Sequence, residues 1–250
     1  MNKSISRWKA AAIHLCASAA IAATVVWTML HVFYPSPFFE ALGGARLIGL
    51  IVGVDVVLGP LITLIVFDVR KKSLKFDLAT VVVLQLAALV YGVHIAFQAR
   101  PAYLLFVKDR FELVTANQLE PEQLAKATRP EFKNVPFSGP RTAAADLPSD
   151  PKELALLQML AISARVDVQL FPQYFVPYVD RRGLVLSKGK SPERFVAELP
   201  RSGPVIQKAL AEAGRKPAEV LVLPLYIKDR SLAVIVGTEA ANVIDVVMLD

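Results

Sequence analysis

The apolar residues of this chain follow two patterns, and the change between them falls near Arg100. Before it stand three long runs, about Ala10 to Phe33, Leu47 to Phe67 and Leu78 to Phe97, each interrupted by only a few polar residues. About 20 helical residues cross a hydrocarbon layer, so each run predicts a membrane span and the three predict a transmembrane region over residues 1–99. After Arg100 the apolar stretches are short and alternate with polar positions, the pattern of strands and amphipathic helices. Residues 100–250 therefore read as one domain outside the bilayer with its own core.

Within that second region, AYLLFVKDRFELVT predicts two strands joined by a turn at Lys108 to Arg110. Pro121 to Ala127 predicts a short helix, and Thr128 to Asp150, with four prolines, an irregular surface loop. PKELALLQMLAISA predicts a helix with Pro151 in its first turn, and FPQYFVPYVD an edge strand or docking segment. Ser191 to Leu199 and Pro204 to Ala213 predict helices, the latter closed by Gly214. The strands EVLVLPLYIK, SLAVIVG and NVIDVVML, joined at Asp229-Arg230 and at Thr238 to Ala241, predict a meander. The expected class is a three-helix transmembrane bundle followed by an α+β extracytoplasmic domain, with an antiparallel sheet covered by helices on one face.

The spans carry the polar residues that matter most. Ala45, Gly49 and Gly53 recur every four residues, a small-residue stripe that lets another helix approach closely. Asp55 lies about 120° around the helix from Gly49, on the side of Gly59 and Ile62. An acid at that depth costs about 2.5–3.5 kcal/mol on insertion scales, so it is expected to face a protein neighbour or a wet cavity. Pro60 withholds a backbone donor, which predicts a kink or polar opening near Val56. Gln85, mid-way along the third span, is the most economical partner for Asp55, with Thr24, Thr28 and Tyr91 as others. His14 and His31 read as interfacial anchors, and His31 and His94 are placed at similar depth, where they can meet. Phe38 and Phe39, between the first two spans, are expected in the membrane interface.

Charge adds a direction. Up to Pro101 there are nine Lys or Arg and four Asp or Glu, against 19 and 18 afterwards, so the net charge of +6 arises mostly in the membrane half. Lys3, Arg7 and Lys9 precede the first span, and Arg70, Lys71, Lys72 and Lys75 follow the second. The positive-inside rule then puts the amino terminus in the cytoplasm and the carboxyl-terminal domain outside. An Ala-rich, Cys-poor chain of this kind suggests a bacterial inner membrane, with the domain in the periplasm. The first span continues beyond the length of a signal-peptide core and reads as an uncleaved anchor.

Composition also removes function classes. All three histidines and the single cysteine, Cys16, precede Arg100, so the domain has no ordinary zinc set, no Ser-His-Asp or Cys-His site and no disulfide. No phosphate-cradling glycine motif and no basic, aromatic-lined face for nucleic acid is present, and no cofactor or metal is expected. Three classes remain: a non-catalytic accessory protein that binds another membrane protein, a small membrane sensor, and an intramembrane enzyme or transporter subunit using Asp55, Gln85 and His94. The first requires the fewest additional parts.

The ordered set VDVVLGPLITLIVFDVRKKSLKFDL, LQLAALVYGV and RPAYLLFVKDRFELV resembles the type IV pilin accessory proteins, the TfpX/TfpZ family. The resemblance covers Met1 to about Val114 and rests on Asp55, Gly59, Pro60, Gln85, Tyr91, Gly92, Arg100, Pro101, Asp109, Arg110 and Phe111. It implies an inner-membrane protein that assists assembly of a cognate major pilin into pili, with the type IV major pilin, other pilus-assembly proteins and membrane lipid as partners. Pilins of this class keep a long apolar helix in the membrane before assembly. The Ala45, Gly49 and Gly53 stripe could hold such a helix, with Asp55, Gly59, Pro60 and Gln85 nearby and Arg100, Asp109 and Arg110 on the outer domain.

Overall fold

Ser6 accepts a hydrogen bond from the Lys9 amide at 3.2 Å and so opens the first helix, satisfying one of its unpaired donors. The computed structural model describes residues 6–164, 167–227 and 230–249; Lys3 and Asp229, used above for charge and for a turn, lie outside them. Three helices, Arg7–Phe33, Gly44–Val66 and Leu74–Gln98, are long and apolar enough to cross a membrane. The chain divides into two units: Met1–Pro35 with Gly43–Gln98, and Ser36–Leu42 with Ala99–Asp250.

In the first unit the second helix is central, because the first and third both pack on it and scarcely on each other. His14 Nδ1 meets Thr63 Oγ1 at 2.6 Å, joining helix one to helix two. The Tyr34 hydroxyl donates to the Ala96 carbonyl at 2.7 Å, and Phe33 meets Phe97 edge to face, joining the end of helix one to helix three. Two turns are π-helical, Met29–Phe33 and Gly53–Leu58, each admitting one extra residue into the helix.

The second unit is built on seven strands: β1 (Pro101–Val107), β2 (Arg110–Thr115), β3 (Arg141–Ala145), β4 (Phe175–Pro177), β5 (Val220–Ile227), β6 (Arg230–Gly237) and β7 (Val243–Met248). They form one sheet in the order β4-β3-β1-β2-β5-β6-β7. The β5-β6-β7 meander is antiparallel and β4 is an edge strand, as the sequence suggested. The expectation of a wholly antiparallel sheet is corrected: β1 runs parallel to β3 and β2 parallel to β5. β3 also falls inside the stretch read as an irregular loop. Arg-Thr-Ala-Ala-Ala has no apolar alternation to announce a strand, and it becomes one because small side chains fit between β1 and β4.

Both faces of the sheet are covered rather than one. On one face Leu104, Phe106, Phe111, Leu223, Leu225 and Val234 pack under Val185 and under Phe38 and Ala41. Phe38 is 4% exposed, so the segment between the first two helices supplies core to this unit instead of resting in a lipid interface. The opposite face carries two separate clusters. Tyr103, Leu105 and Phe175 pack under Phe132 and Leu157, while Val222, Ala233 and Ile235 pack under Phe195 and Ile206.

The two central hairpins share a sequence likeness: Leu105 to Val114 reads LFVKDRFELV and Leu225 to Val234 reads LYIKDRSLAV. Their inner strands β2 and β5 pair in parallel, with Phe111 opposite Leu225 and Glu112 opposite Tyr226.

Phe38→Ala is expected to destabilise the sheet unit by about 3–5 kcal/mol, the usual cost of emptying a buried aromatic site. Glu40→Ala, an exposed change in the same segment, is expected to stay within about 0.5 kcal/mol. Unfolding of the full chain in detergent, followed through the β-sheet signal, measures both.

Candidate functional site

The polar centre of the bundle is built around a missing donor. In the π-helical turn the Gly59 amide bonds to the Val54 carbonyl, five residues back. Continued by one residue, the same pattern would bring residue 60 to the Asp55 carbonyl, but Pro60 has no N–H. The Gln85 side-chain amide takes that place, donating to the Asp55 carbonyl at 3.3 Å. Gly59 makes room for it, since a Cβ there would stand 1.9 Å from Gln85 Nε2. Asp55, Gly59, Pro60 and Gln85 are thus brought together, through the backbone of Asp55 and not through its carboxyl as the sequence suggested.

Asp55, 6% exposed, lines a cavity of about 150 Å³ with His14, Ser18 and Gln85 among apolar residues of helices one and three. No hydrogen-bond donor among the described residues reaches its carboxyl, and Gln85 Oε1 is also buried without a partner. His14 and Ser18 were not read as members of this site. The extra residue of the π turn shifts the helical phase, so Asp55 and Gly59 are buried while Ile62 is exposed.

The remaining polar residues of the spans take local partners. Thr24 and Thr28 donate to carbonyls of their own helix at 2.9 Å. His31 stacks on Trp27 and His94 pairs with Gln98, so the expected meeting of the two histidines does not occur. Tyr91 is 68% exposed. Ala45 and Gly49 are exposed and Gly53 half-buried, and nothing lies within 4 Å of where a Cβ at Gly49 or Gly53 would stand. The stripe is therefore unfilled by the bundle, whereas Asp55 points inward.

In the sheet unit Arg100 is buried, and its guanidinium donates to the Pro136 carbonyl at 3.0 and 2.6 Å, tying the start of β1 to a loop. Asp109 occupies the tip of the first hairpin, beside Lys108 in the left-handed region at φ 58°. Arg110 holds Glu112 at 2.6 Å and lies over the Tyr226 ring at 5.5 Å. Burial pushes the Glu112 carboxyl up; the Arg110 partner opposes that, and Asp167 adds to it. Glu112 and Tyr226 were missed because only the register of β2 against β5 brings them opposite each other. Among the described residues, no three His, Cys, Asp or Glu side chains gather as a metal set.

The family model for the fimbrial assembly protein FimB matches residues 2–43. Two fimbrial assembly proteins of Dichelobacter nodosus, from serogroups I and E1, are 32% and 31% identical to this chain over 133 residues. That is 52% of this chain, and the chain spans about half the length (51%) of each. A third, from serogroups C1 and C2 of the same organism, is 31% identical over 121 residues, 48% of this chain and 92% of that protein.

The chain belongs to the fimbrial assembly protein family.

No solved structure matches it. The family segment 2–43 contains the first helix and Phe38, and so touches both units of this member of the fimbrial assembly proteins.

Gly59→Ala is expected to push the Gln85 amide from the Asp55 carbonyl, at about 1–3 kcal/mol for the buried group left unpaired. Gln85→Ala breaks the same bond, so the double variant should lose less than the two single losses together, by about 0.5–3 kcal/mol. Unfolding in mixed micelles reads the cycle. Glu112 has its own signature. With its folded-state affinity for a proton raised, the folded unit binds more protons than the unfolded chain between the ordinary carboxylate range and the raised value. Stability should fall as pH rises through that window, and Glu112→Gln should flatten the slope in chemical denaturation.

Proposed function

We propose that this chain is a type IV pilin accessory protein of the TfpX/TfpZ kind, placed in the inner membrane with its sheet domain in the periplasm. In this reading it assists assembly of a cognate pilin by binding and not by catalysis. The observation that carries the proposal is the match across 92% of a protein named for fimbrial assembly. The relatives are named for assembly and not for a reaction. Basic residues between the second and third helices support the orientation.

The surface proposed for the pilin's membrane helix is the Ala45, Gly49 and Gly53 stripe. It is exposed or half-exposed, with nothing against it. Small residues at this spacing let two helix backbones approach, which is how apolar helices gain packing where lipid offers no hydrophobic drive. Arg100, Asp109 and Arg110 belong in this reading to a domain that engages the pilin's head.

Replacing Gly49 and Gly53 together by Ile is expected to reduce surface pili about tenfold or more, equivalent to losing about 1.4 kcal/mol or more of binding, with the level of the chain unchanged. Immunoblot and pilus counts measure the two quantities. Photo-crosslinking from positions 49 and 53 should trap pilin; crosslinks from the sheet domain alone would remove the stripe from the mechanism, and unchanged piliation would remove the function.

A further inference from the structure

The wedge between the first and third helices has a different character from the glycine stripe. Both helices pack on the second and scarcely on each other, so the second forms the floor of an opening with Asp55 on it. Apolar side chains such as Val82 and Leu86 make the wall, while the Asp55 carboxyl presents an acceptor that no donor among the described residues reaches. The Gln85 amide nitrogen is already engaged by the Asp55 carbonyl and its Oε1 is buried against Gly59, which leaves the Asp55 carboxyl as the acceptor open to the wedge.

We propose that this wedge receives a membrane-spanning helix of a partner protein that carries a hydrogen-bond-donating side chain near mid-span. The partner helix completes a four-helix arrangement, and its donor satisfies the Asp55 carboxyl. This deepens the reading of the bundle as a receptor for a partner's helix and rests on it, but it assigns a second face and defines the occupant by chemistry. A lipid tail matches the apolar wall yet brings no donor, and in hydrocarbon there is no water to replace one. A second copy of this chain is poorly equipped. The exposed hydroxyls of Thr24, Thr28 and Thr80 are each spent on a carbonyl of their own helix, and Tyr91 lies toward the Gln98 end.

The test uses the full chain in phosphatidylcholine vesicles at high lipid dilution. The probes are two labelled leucine-based transmembrane peptides, one with a single central Asn and one without, and energy transfer reports association. The Asn peptide should bind about threefold to tenfold more tightly, the range given by one interhelical hydrogen bond. Asp55→Leu, which leaves the Gln85 bond to the backbone in place, should remove that preference. Helix content by circular dichroism must equal the parent's for each variant. Gly49→Ile should leave the preference intact, which separates this face from the stripe. Equal binding of the two peptides, or a preference that survives Asp55→Leu, would overturn the proposal. Stronger transfer to a labelled second copy of the chain than to the Asn peptide would also overturn it, by making the occupant a copy of itself. None of these readings depends on piliation, so the assembly role and the wedge fail separately.

Discussion

A backbone carbonyl inside a bilayer has no water to bond, and that constraint organises the helical unit of this protein. Pro60 withholds the donor that the π-helical turn would otherwise bring to the Asp55 carbonyl, and Gln85 replaces it from the neighbouring helix. Gly59 is the residue that lets the amide in. Three positions that look independent in the sequence are therefore one joint between the second and third helices. The same joint turns Asp55 away from lipid towards the cavity and buries the Gln85 oxygen against Gly59, so local backbone satisfaction decides where the unmet acceptors of the bundle lie.

The sheet unit depends on a comparable debt to distant sequence. Phe38 and Ala41 lie between the first two helices, yet they close a core made by strands that begin at Pro101. Removing the helical part of the chain would remove that cover as well. On the opposite face two apolar clusters are separate, and Arg110, Glu112 and Tyr226 occupy the central strands. A carboxylate there is costly unless paired, which is why Arg110 sits against it. Membership of the fimbrial assembly proteins gives these arrangements a common context.

Much of the site was legible as composition and little of it as geometry. An acid, a Gly-Pro pair and a glutamine in otherwise apolar runs marked Asp55, Gly59, Pro60 and Gln85. Their roles were not legible, because a π turn changes the helical phase by one residue and a 100° wheel cannot register it. His14 read as an interfacial residue because hydropathy places it near an end, whereas its bond to Thr63 depends on how two helices cross.

The sequence by itself determined three membrane-length helices and the final strand meander. These follow from properties carried locally: the length of an apolar run and the alternation of side chains along a strand. Tertiary structure alone decided the parallel pairs, the strand character of Arg-Thr-Ala-Ala-Ala and the burial of Phe38. It also decided that Asp55 meets Gln85 through its carbonyl. Each of these depends on which distant segment lies alongside, and neither hydropathy nor local propensity encodes the direction or register of that neighbour.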